Sequence, residues 1–396
     1  MDFSFTAEDE AFRDELRSWL DVNLTRFLET WDTDDDPGGG QVSGFDRTQE
    51  KRKDWQRRLN EGRWAAINWP KDKNGREATP VQNALYAEEM ARVRAPGIYN
   101  PNGIWQIGPM IIKWGTPEQQ QRWLPDLAAG KSLISFAITE SDAGSDAGSI
   151  AMRATRDGDE YVLDGAKRFI TQGSVADLVV VFAVSDPGAK RHRNLSCFVV
   201  ETSRPGFSVG RLEHKMGIRG SPTAELLFDG VRIPAANRIG DEGEGFAIAM
   251  STFERSRPGI AAQAVGIAQG ALAFAAHYAT ERIQFGKPIA EQQMVQALLA
   301  DMDASTEAAR QLLYAACAAI DAGDGDAARW AAVCKLVAGD TAMRVTTDAV
   351  QVLGGYGYLD EFPVERMMRD AKITQLYEGT QQIQRLVVAR SLLARS

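Results

Sequence analysis

The order of local patterns along this 396-residue chain constrains its fold more than any other feature. Helical periodicity runs through residues 1–130, strand-forming runs fill 131–240, and alanine-rich helical sequence fills 241–396. A chain of this length is expected to build more than one hydrophobic core. We therefore predict an α+β, mostly α protein. Its three domains would be an N-terminal helical domain (1–130), a central antiparallel β-barrel or sandwich (131–240) and a C-terminal four-helix bundle (241–396).

Individual elements follow from spacing and composition. Apolar residues at helical intervals predict helices over 9–24, 47–62 and 81–94. Runs rich in valine and aromatic residues between turns predict strands over 161–165, 178–184, 197–200 and 225–231. Alanine-rich sequence with few breakers predicts helices over 246–281, 292–322, 327–353 and 381–393. The acidic, glycine-rich segment 32–40 is predicted to be a mobile surface loop.

The composition excludes several classes of protein. A net charge of -9 argues against a nucleic-acid binder held by phosphate contacts. The three histidines are scattered, so no metal site is expected, and the three cysteines form no CxxC pair or disulfide framework. No signal peptide and no run of 18 or more apolar residues is found, so we expect a cytoplasmic protein without a membrane span.

Two motifs indicate where the chemistry lies. Residues 137–146 form a polar loop of small residues that could bring backbone amides close to a flat, polar ligand. Residues 354–357, Gly-Gly-Tyr-Gly, follow a helix and not a strand, so a dinucleotide-binding glycine loop is not predicted there. A plain glycine turn between helices remains an alternative for the second motif.

A single carboxylate, Glu378, stands just before the last predicted helix, for which Thr380 is a good N-cap. In one interpretation Glu378 only complements the positive end of the helix, which is worth about 0.3–1 kcal/mol. In the other it is a general base, covered by the apolar residues Ile373, Leu376 and Tyr377. The local sequence leaves both interpretations open.

Together these segments resemble the acyl-CoA dehydrogenase family. Segment 137–149 is similar to the first signature of that family, and segment 351–370 is similar to the second. Residues 377–380 and the Glu-Arg-x-x-Phe-Gly-Lys motif at 281–287 also match. The resemblance covers nearly the whole chain and implies a helix–barrel–helix fold, bound FAD, and a homotetramer or homodimer.

The resemblance also implies an activity in fatty acid metabolism. An acyl-CoA thioester would be dehydrogenated between its α and β carbons to a trans-2-enoyl-CoA. Glu378 would be the catalytic base for the α-proton, and flavin N5 would accept the β-hydrogen as a hydride. The backbone amide of Glu378 and a ribityl hydroxyl would stabilise the charge that develops on the thioester oxygen. An electron-transferring flavoprotein would then receive the electrons.

The binding residues implied by the resemblance form three sets. On the subunit that holds the flavin ring, FAD is expected to contact Phe136, Ile138, Thr139, Gly144, Ser145, Phe169, Thr171, Thr380 and Gln382. From the neighbouring subunit, FAD is expected to contact Arg282, Gln284, Phe285, Gln351, Gly354 and Gly355, and Gln293 is also assigned to the cofactor site. The substrate is expected to contact Ser145, Arg257, Tyr377 and Gly379, and no metal is implied.

Some positions depart from the family pattern, and other functions are compatible with the scaffold. Ser256 stands where some members carry their catalytic glutamate, which favours Glu378 as the base. Ser141 and Phe169 replace a proline and a tryptophan that many members have. The alternatives are a flavin monooxygenase, which typically lacks the base, a substrate carried on acyl carrier protein, and a non-catalytic nucleic-acid binder, which the net charge disfavours.

Overall fold

The computed structural model describes residues 5–29, 42–93, 95–323 and 325–394. The chain divides into two compact units. The first comprises residues 1–78, 94–215 and 219–253, and the second comprises 79–93, 216–218 and 254–396. Segment 32–40, predicted above to be a mobile loop, lies outside the described residues.

Helices and strands occur in the predicted order, with strands between two helical regions. The helices are α1 (Ala7–Leu28), α2 (Val42–Glu61), α3 (Pro80–Arg92), α4 (Gly108–Trp114), α5 (Pro117–Ala128), α6 (Gly245–Glu281), α7 (Gln293–Asp321), α8 (Ala327–Leu353), α9 (Pro363–Ala371) and α10 (Gln381–Leu393). The strands are β1 (Ile134–Ala137), β2 (Arg153–Asp157), β3 (Glu160–Thr171), β4 (Leu178–Val184), β5 (Leu195–Glu201), β6 (Phe207–Leu212), β7 (Thr223–Pro234), β8 (Arg238–Ile239), β9 (Ile283–Gln284) and β10 (Lys287–Pro288). Short 3-10 turns and one π-helical turn, Gly103–Ile107, connect several of them.

In the first unit, buried polar side chains join the helices. Gln56 on α2 is fully buried, and its Nε2 donates to the carbonyl oxygens of Leu127 and Ala128 at 2.9 and 3.2 Å. Its Oε1 accepts from the backbone amide of Asn100 at 2.8 Å. These bonds satisfy carbonyl groups at the end of α5 that have no partner within the helix. Gln56 therefore fixes α2 against the end of α5.

The first unit also contains an eight-stranded sheet in the order β6-β7-β3-β2-β4-β5-β8, with β1 paired to β4. Most neighbours are antiparallel, as predicted, but β1 and β2 each pair with β4 in parallel. Strands β4 and β5 are buried along almost their whole length, which explains their continuous apolar sequence. The carboxyl end of β1 leads directly into the polar loop 138–146.

Strand β3 is irregular where it approaches that loop. Its register with β7 shifts between Lys167 and Ile170, and Phe169 within the shift has a φ of 58°. Irregularities of this kind redirect side chains next to functional sites. The ring of Phe169 is 59% exposed in consequence.

The second unit is a helical bundle built around α8, which contacts α7, α9 and α10. Buried residues on α8 recur at helical intervals and are mostly small: Ala331, Ala338, Ala342, Val345, Ala349 and Val352. Small side chains let neighbouring helices approach closely. The segment 216–218 joins this unit, because the amide of Ile218 donates to Asp370 Oδ1 at 2.5 Å.

Within the described part of the chain, α6 is the one helix long and apolar enough to cross a membrane. Five of its alanines are fully buried at alternating intervals of three and four residues: Ala261, Ala264, Ala268, Ala271 and Ala275. They belong to the hydrophobic core of the second unit. This is the pattern of a core helix in a bundle, and we infer no membrane span from it.

Candidate functional site

Glu378 lies in a strained turn immediately before α10. Its φ is 56°, in the left-handed region that residues with a Cβ rarely adopt, and Gly379 follows with a φ of 88°. Thr380 caps α10, since its side chain accepts from the amide of Ile383 at 3.3 Å, which confirms its predicted role as N-cap. The turn therefore carries the Glu378 carboxylate at the N-terminal end of a helix.

Three side chains surround this carboxylate. The Ser256 hydroxyl donates to Glu378 Oε2 at 2.5 Å. Arg257 is 7% exposed, its Nε has no hydrogen-bond partner among the described residues, and burial lowers its pKa while the charge of Glu378 raises it. The Tyr377 hydroxyl donates to Gln263 Oε1, and burial followed by the charge of Glu378 raises its pKa. The structure thus brings the predicted base together with Arg257, Tyr377 and Gly379.

Ser256, the position where some family members carry their catalytic glutamate, contacts the proposed base directly. Residue 256 lies on α6, and its side chain reaches the carboxylate of Glu378, which lies between α9 and α10 in the chain. From the sequence, Ser256 was notable only for standing where some family members carry a glutamate. The structure shows it as a hydrogen-bond donor to Glu378.

The polar loop after β1 holds the second group of predicted residues. Ile138 and Thr139 are partly exposed, and Gly144 and Ser145 are exposed, with open space around Gly144. Phe136 lies inside β1 and packs its ring on Phe182 and Phe253, at 5.1 and 5.6 Å between ring centroids. Phe136 therefore supports the loop from the core.

A buried ion pair fastens this loop to β3. Lys167 is fully buried, and its Nζ donates to Glu140 Oε1 at 2.8 Å and to the carbonyl oxygen of Ile138 at 3.2 Å. Burial lowers the pKa of Lys167 to about 8, although the charge and hydrogen bond of Glu140 raise it. Glu140 also accepts from the amides of Ala151 and Met152. No role was predicted from the sequence for either member of this pair.

Backbone contacts complete the attachment of the loop. The amide of Arg168 donates to the carbonyl of Thr139 at 2.8 Å, and Ser135 Oγ donates to the carbonyl of Thr171 at 2.8 Å. Phe169 and Thr171 therefore lie on the strand that borders the loop, with the Phe169 ring exposed beside it. The structure groups all seven predicted cofactor residues of the first unit on two adjoining segments, β1 with its loop and the end of β3.

A cleft of about 1110 Å³ contains most of the third group. It lies within the second unit and is lined by Arg282, Gln284, Phe285, Gln293, Gly355 and eleven other residues. The β9–β10 hairpin presents Phe285 and Gly286 in consecutive left-handed conformations, and Phe285 is 94% exposed. Gln351 and Gly354 are exposed, and each is adjacent in sequence to a residue that lines the cleft. Open space surrounds Gly354 and Gly355.

The residues of the cleft fit a nucleotide cofactor. Arg282 presents a guanidinium, whose planar donors match a pyrophosphate, and it lies 5.2 Å from the centre of the Tyr356 ring. Gln284 and Gln293 add amides, and Phe285 adds an exposed aromatic surface. Gly354 and Gly355 have no side chains, so a ligand can approach the backbone closely at these positions.

The cleft and the base turn lie at different positions along α8. Lys335 in the first half of α8 contacts Gly379 in the base turn, whereas Leu353 at the end of α8 lines the cleft. The two positions differ by 18 residues, which corresponds to about 27 Å along the helix. Thr380 and the exposed Gln382 lie with the base turn at the start of α10.

Other kinds of catalytic centre find little support. All three cysteines are unpaired and buried, and burial raises the pKa of Cys317 to about 12 and those of Cys197 and Cys334 further. Such thiols are poor nucleophiles. In the part of the chain that the structure describes, no group of three or more His, Cys, Asp or Glu side chains could hold a metal ion.

Comparisons with known proteins agree with these features. Family models described as the N-terminal, middle and C-terminal domains of acyl-CoA dehydrogenase match residues 6–131, 135–231 and 243–393. A probable acyl-CoA dehydrogenase, fadE25, from Mycobacterium leprae is 47% identical over 336 residues, covering 85% of this chain and 86% of the relative.

Solved structures extend the similarity to the whole fold. Butyryl-CoA dehydrogenase from Megasphaera elsdenii is 37% identical with a TM-score of 0.83, covering 99% of this chain and all of that chain. The structure of PigA with FAD and proline is 27% identical with a TM-score of 0.85, covering all of both chains. By its three matching domains and these relatives, the chain is an FAD-binding oxidoreductase that belongs to the acyl-CoA dehydrogenase family.

Proposed function

We propose that this protein oxidises an acyl-CoA thioester to the trans-2-enoyl-CoA, with Glu378 as the catalytic base. The observation that carries this proposal is the Glu378 turn. A carboxylate is held on a left-handed backbone, hydrogen-bonded by Ser256 and placed near the buried guanidinium of Arg257. Strain of this kind persists at functional sites where the surrounding structure enforces it.

The proposed reaction breaks two C–H bonds and forms one C=C bond. Glu378 takes the α-proton onto a carboxylate oxygen, and the electron pair left on the α-carbon becomes the new double bond. Bound FAD supplies the acceptor, at its N5 position, for the β-hydrogen and its electron pair. A single carboxylate is sufficient as the base because the second hydrogen leaves as a hydride.

The chain also has to stabilise charge on the thioester oxygen as the α-proton leaves. We assign this to the backbone amide of Glu378, with Arg257 and Tyr377 shaping the pocket around the thioester. A preorganised donor of this kind is worth about 2.7–4 kcal/mol in comparable sites. The partial burial of the Glu378 turn supports this assignment, because hydrogen bonds are stronger away from water.

The cofactor contacts are proposed to come from two subunits. The loop 138–145, Phe169, Thr171, Thr380 and Gln382 would contact FAD on the subunit that supplies the base. The cleft around Arg282 and Phe285 lies about 27 Å away along α8, so it would serve the cofactor of a neighbouring subunit. A homotetramer or homodimer is therefore proposed, in which FAD binding and assembly are coupled.

Three further proposals complete this function. The electrons pass to an electron-transferring flavoprotein, and the protein works in the cytoplasm. The three domains remain those proposed from the sequence, 1–130, 131–240 and 241–396.

The test is anaerobic bleaching of the bound flavin by a panel of acyl-CoA thioesters. Wild-type protein is expected to bleach with at least one of them. Glu378→Gln, which keeps the size of the side chain, is expected to retain FAD and to bleach about 10²- to 10⁴-fold more slowly, the range for loss of a general base. Glu118→Gln, at an exposed position on α5, is the matched control and is expected to bleach at the wild-type rate.

Bleaching of Glu378→Gln at the wild-type rate would show that another group removes the proton. Bleaching by acyl carrier protein thioesters alone would identify a different substrate carrier. Oxygen consumption coupled to hydroxylation of a product would identify a monooxygenase.

A further inference from the structure

Lys335 is a buried cation for which the proposed reaction has no role. It lies on α8 and is fully buried. Its Nζ donates to the carbonyl oxygen of Gly379 at 2.8 Å and to Gln381 Oε1 at 3.2 Å. Burying an ammonium group is costly unless its partners compensate, and an apolar side chain would fill the same space without that cost. The contacts of Lys335 therefore suggest a purpose beyond packing.

These contacts fall on the turn that carries Glu378. The carbonyl oxygen of Gly379 accepts from Lys335 and also from Gln384 Nε2, at 2.9 Å. Gln384 Nε2 lies 3.1 Å from the carbonyl oxygen of Glu378 as well. Two buried donors thus hold the carbonyl oxygens of the Glu378–Gly379 peptide and of the Gly379–Thr380 peptide that follows it. Glu378 and Gly379 both have positive φ.

The same network ties the turn to α8. Gln381 Nε2 donates to the carbonyl of Leu336 at 2.7 Å and to Asp340 Oδ1 at 2.9 Å. Gln381 and Gln384 are almost completely buried. A shift of α8 or loss of one donor would therefore be passed to the Glu378 turn.

The charges around Lys335 come from three elements. Arg257 on α6 repels it, Glu378 before α10 attracts it, and Asp340 on α8 attracts it while pairing with Arg385 of α10 at 3.1 Å. Burial, followed by Arg257, lowers the pKa of Lys335 to about 8. The side chain is thus a cation at neutral pH and loses that charge in mildly alkaline solution.

We infer that Lys335 is a positioning residue for the base: it holds the Gly379 carbonyl, keeps Glu378 aimed at the substrate, and places a positive charge near the carboxylate. The inference rests on the proposed function of Glu378. It predicts that removing the Lys335 side chain slows proton abstraction without removing the cofactor or the substrate. A displacement of about 1 Å in such a group can cost about 100-fold in rate.

The test uses the FAD-loaded enzyme and the best acyl-CoA from the bleaching panel. Lys335→Met removes the charge and the hydrogen-bond donor while keeping a side chain of similar length. Lys335→Gln removes the charge but keeps a neutral hydrogen-bond donor. For Lys335→Met we expect flavin content and affinity for the product enoyl-CoA within threefold of wild type. Anaerobic bleaching at pH 6.5 should be about 100-fold slower. The difference from wild type should shrink by pH 9, where wild-type Lys335 has lost its charge.

Two results would overturn the inference. One is bleaching within threefold of the wild-type rate at pH 6.5 by a variant that retains FAD. The other is a loss of rate of equal size at pH 6.5 and 9, which a merely structural role would produce. If Lys335→Met does not retain FAD, Lys335→Gln provides both measurements. Failure of the proposed function is distinguishable, because Glu378→Gln would then bleach like wild type.

Discussion

The ion pair between Lys167 and Glu140 allows a quantitative prediction about the loop 138–145. Glu140→Gln removes the negative charge beside a fully buried ammonium group, which lies 2.8 Å from the carboxylate. Breaking a buried pair in this way often costs 3–5 kcal/mol. Lys167 can limit that cost by giving up its proton, because its pKa in the folded wild type is already about 8.

The charge-dependent cost follows from this pKa. Loss of Glu140 lowers the Lys167 pKa further, so below pH 8 the variant either keeps an unpaired charge or releases a proton that wild type retains. At about 1.4 kcal/mol per pKa unit, releasing it costs at most about 1 kcal/mol at pH 7, about 3 kcal/mol at pH 6 and almost nothing at pH 9. The carboxylate also accepts from two backbone amides, and the single oxygen of glutamine can lose one of these bonds, which adds about 1 kcal/mol.

We therefore expect Glu140→Gln to lower the free energy of unfolding by up to about 4 kcal/mol at pH 6, up to about 2 kcal/mol at pH 7 and about 1 kcal/mol at pH 9. Urea unfolding followed by tryptophan fluorescence at the three pH values measures these losses. In a Lys167→Met background the cost of Glu140→Gln should be independent of pH, since no lysine remains to titrate. A loss of equal size at pH 6 and pH 9 in the wild-type background would refute the reasoning.

Two further predictions concern the Glu378 turn and the cleft. Gly379→Ala places a Cβ on a residue with φ of 88°, 2.8 Å from Gln384 Nε2, so we expect anaerobic flavin bleaching to slow at least tenfold, measured at matched flavin content. Phe285→Ala removes a 94% exposed ring at the cleft, and we expect FAD to be lost more readily, at least tenfold in dissociation constant, together with a shift to smaller assemblies on gel filtration. Unchanged FAD affinity and assembly in Phe285→Ala would contradict the proposed contact between subunits.

Long elements with a clear pattern could be predicted from the sequence. Helix α8 spans Ala327–Leu353 as predicted, and β4 spans Leu178–Val184 as predicted, because propensity and burial agree along their whole length. Short elements such as α4 and β8 were not predicted individually, because a few residues leave little periodic signal. The parallel pairing of β1 with β4 was also missed, since it joins residues far apart in the chain and has no local signature.

The binding residues were easier to name than the residues that support them. Glu378 and Arg282 were predicted by resemblance, whereas no role was predicted for Lys167 and Lys335. For Lys335 a signal was present in the sequence. It lies on the stripe of α8 that includes Ala331, Ala338 and Ala342, at the helical spacing of a buried face. A lysine in such a stripe is rarely buried without a partner, so it should be examined as a functional candidate.

Each of the three groups of proposed site residues contains a residue with a strained backbone. Phe169, Phe285 and Glu378, one from each group, all adopt positive φ, which costs about 1–2 kcal/mol for a residue with a Cβ. Glycine at any of these positions would relieve the strain. The two phenylalanine rings are 59% and 94% exposed, so burial in this chain does not offset the cost. The proposed contacts of Phe169 and Phe285 with the flat rings of FAD would offset this cost.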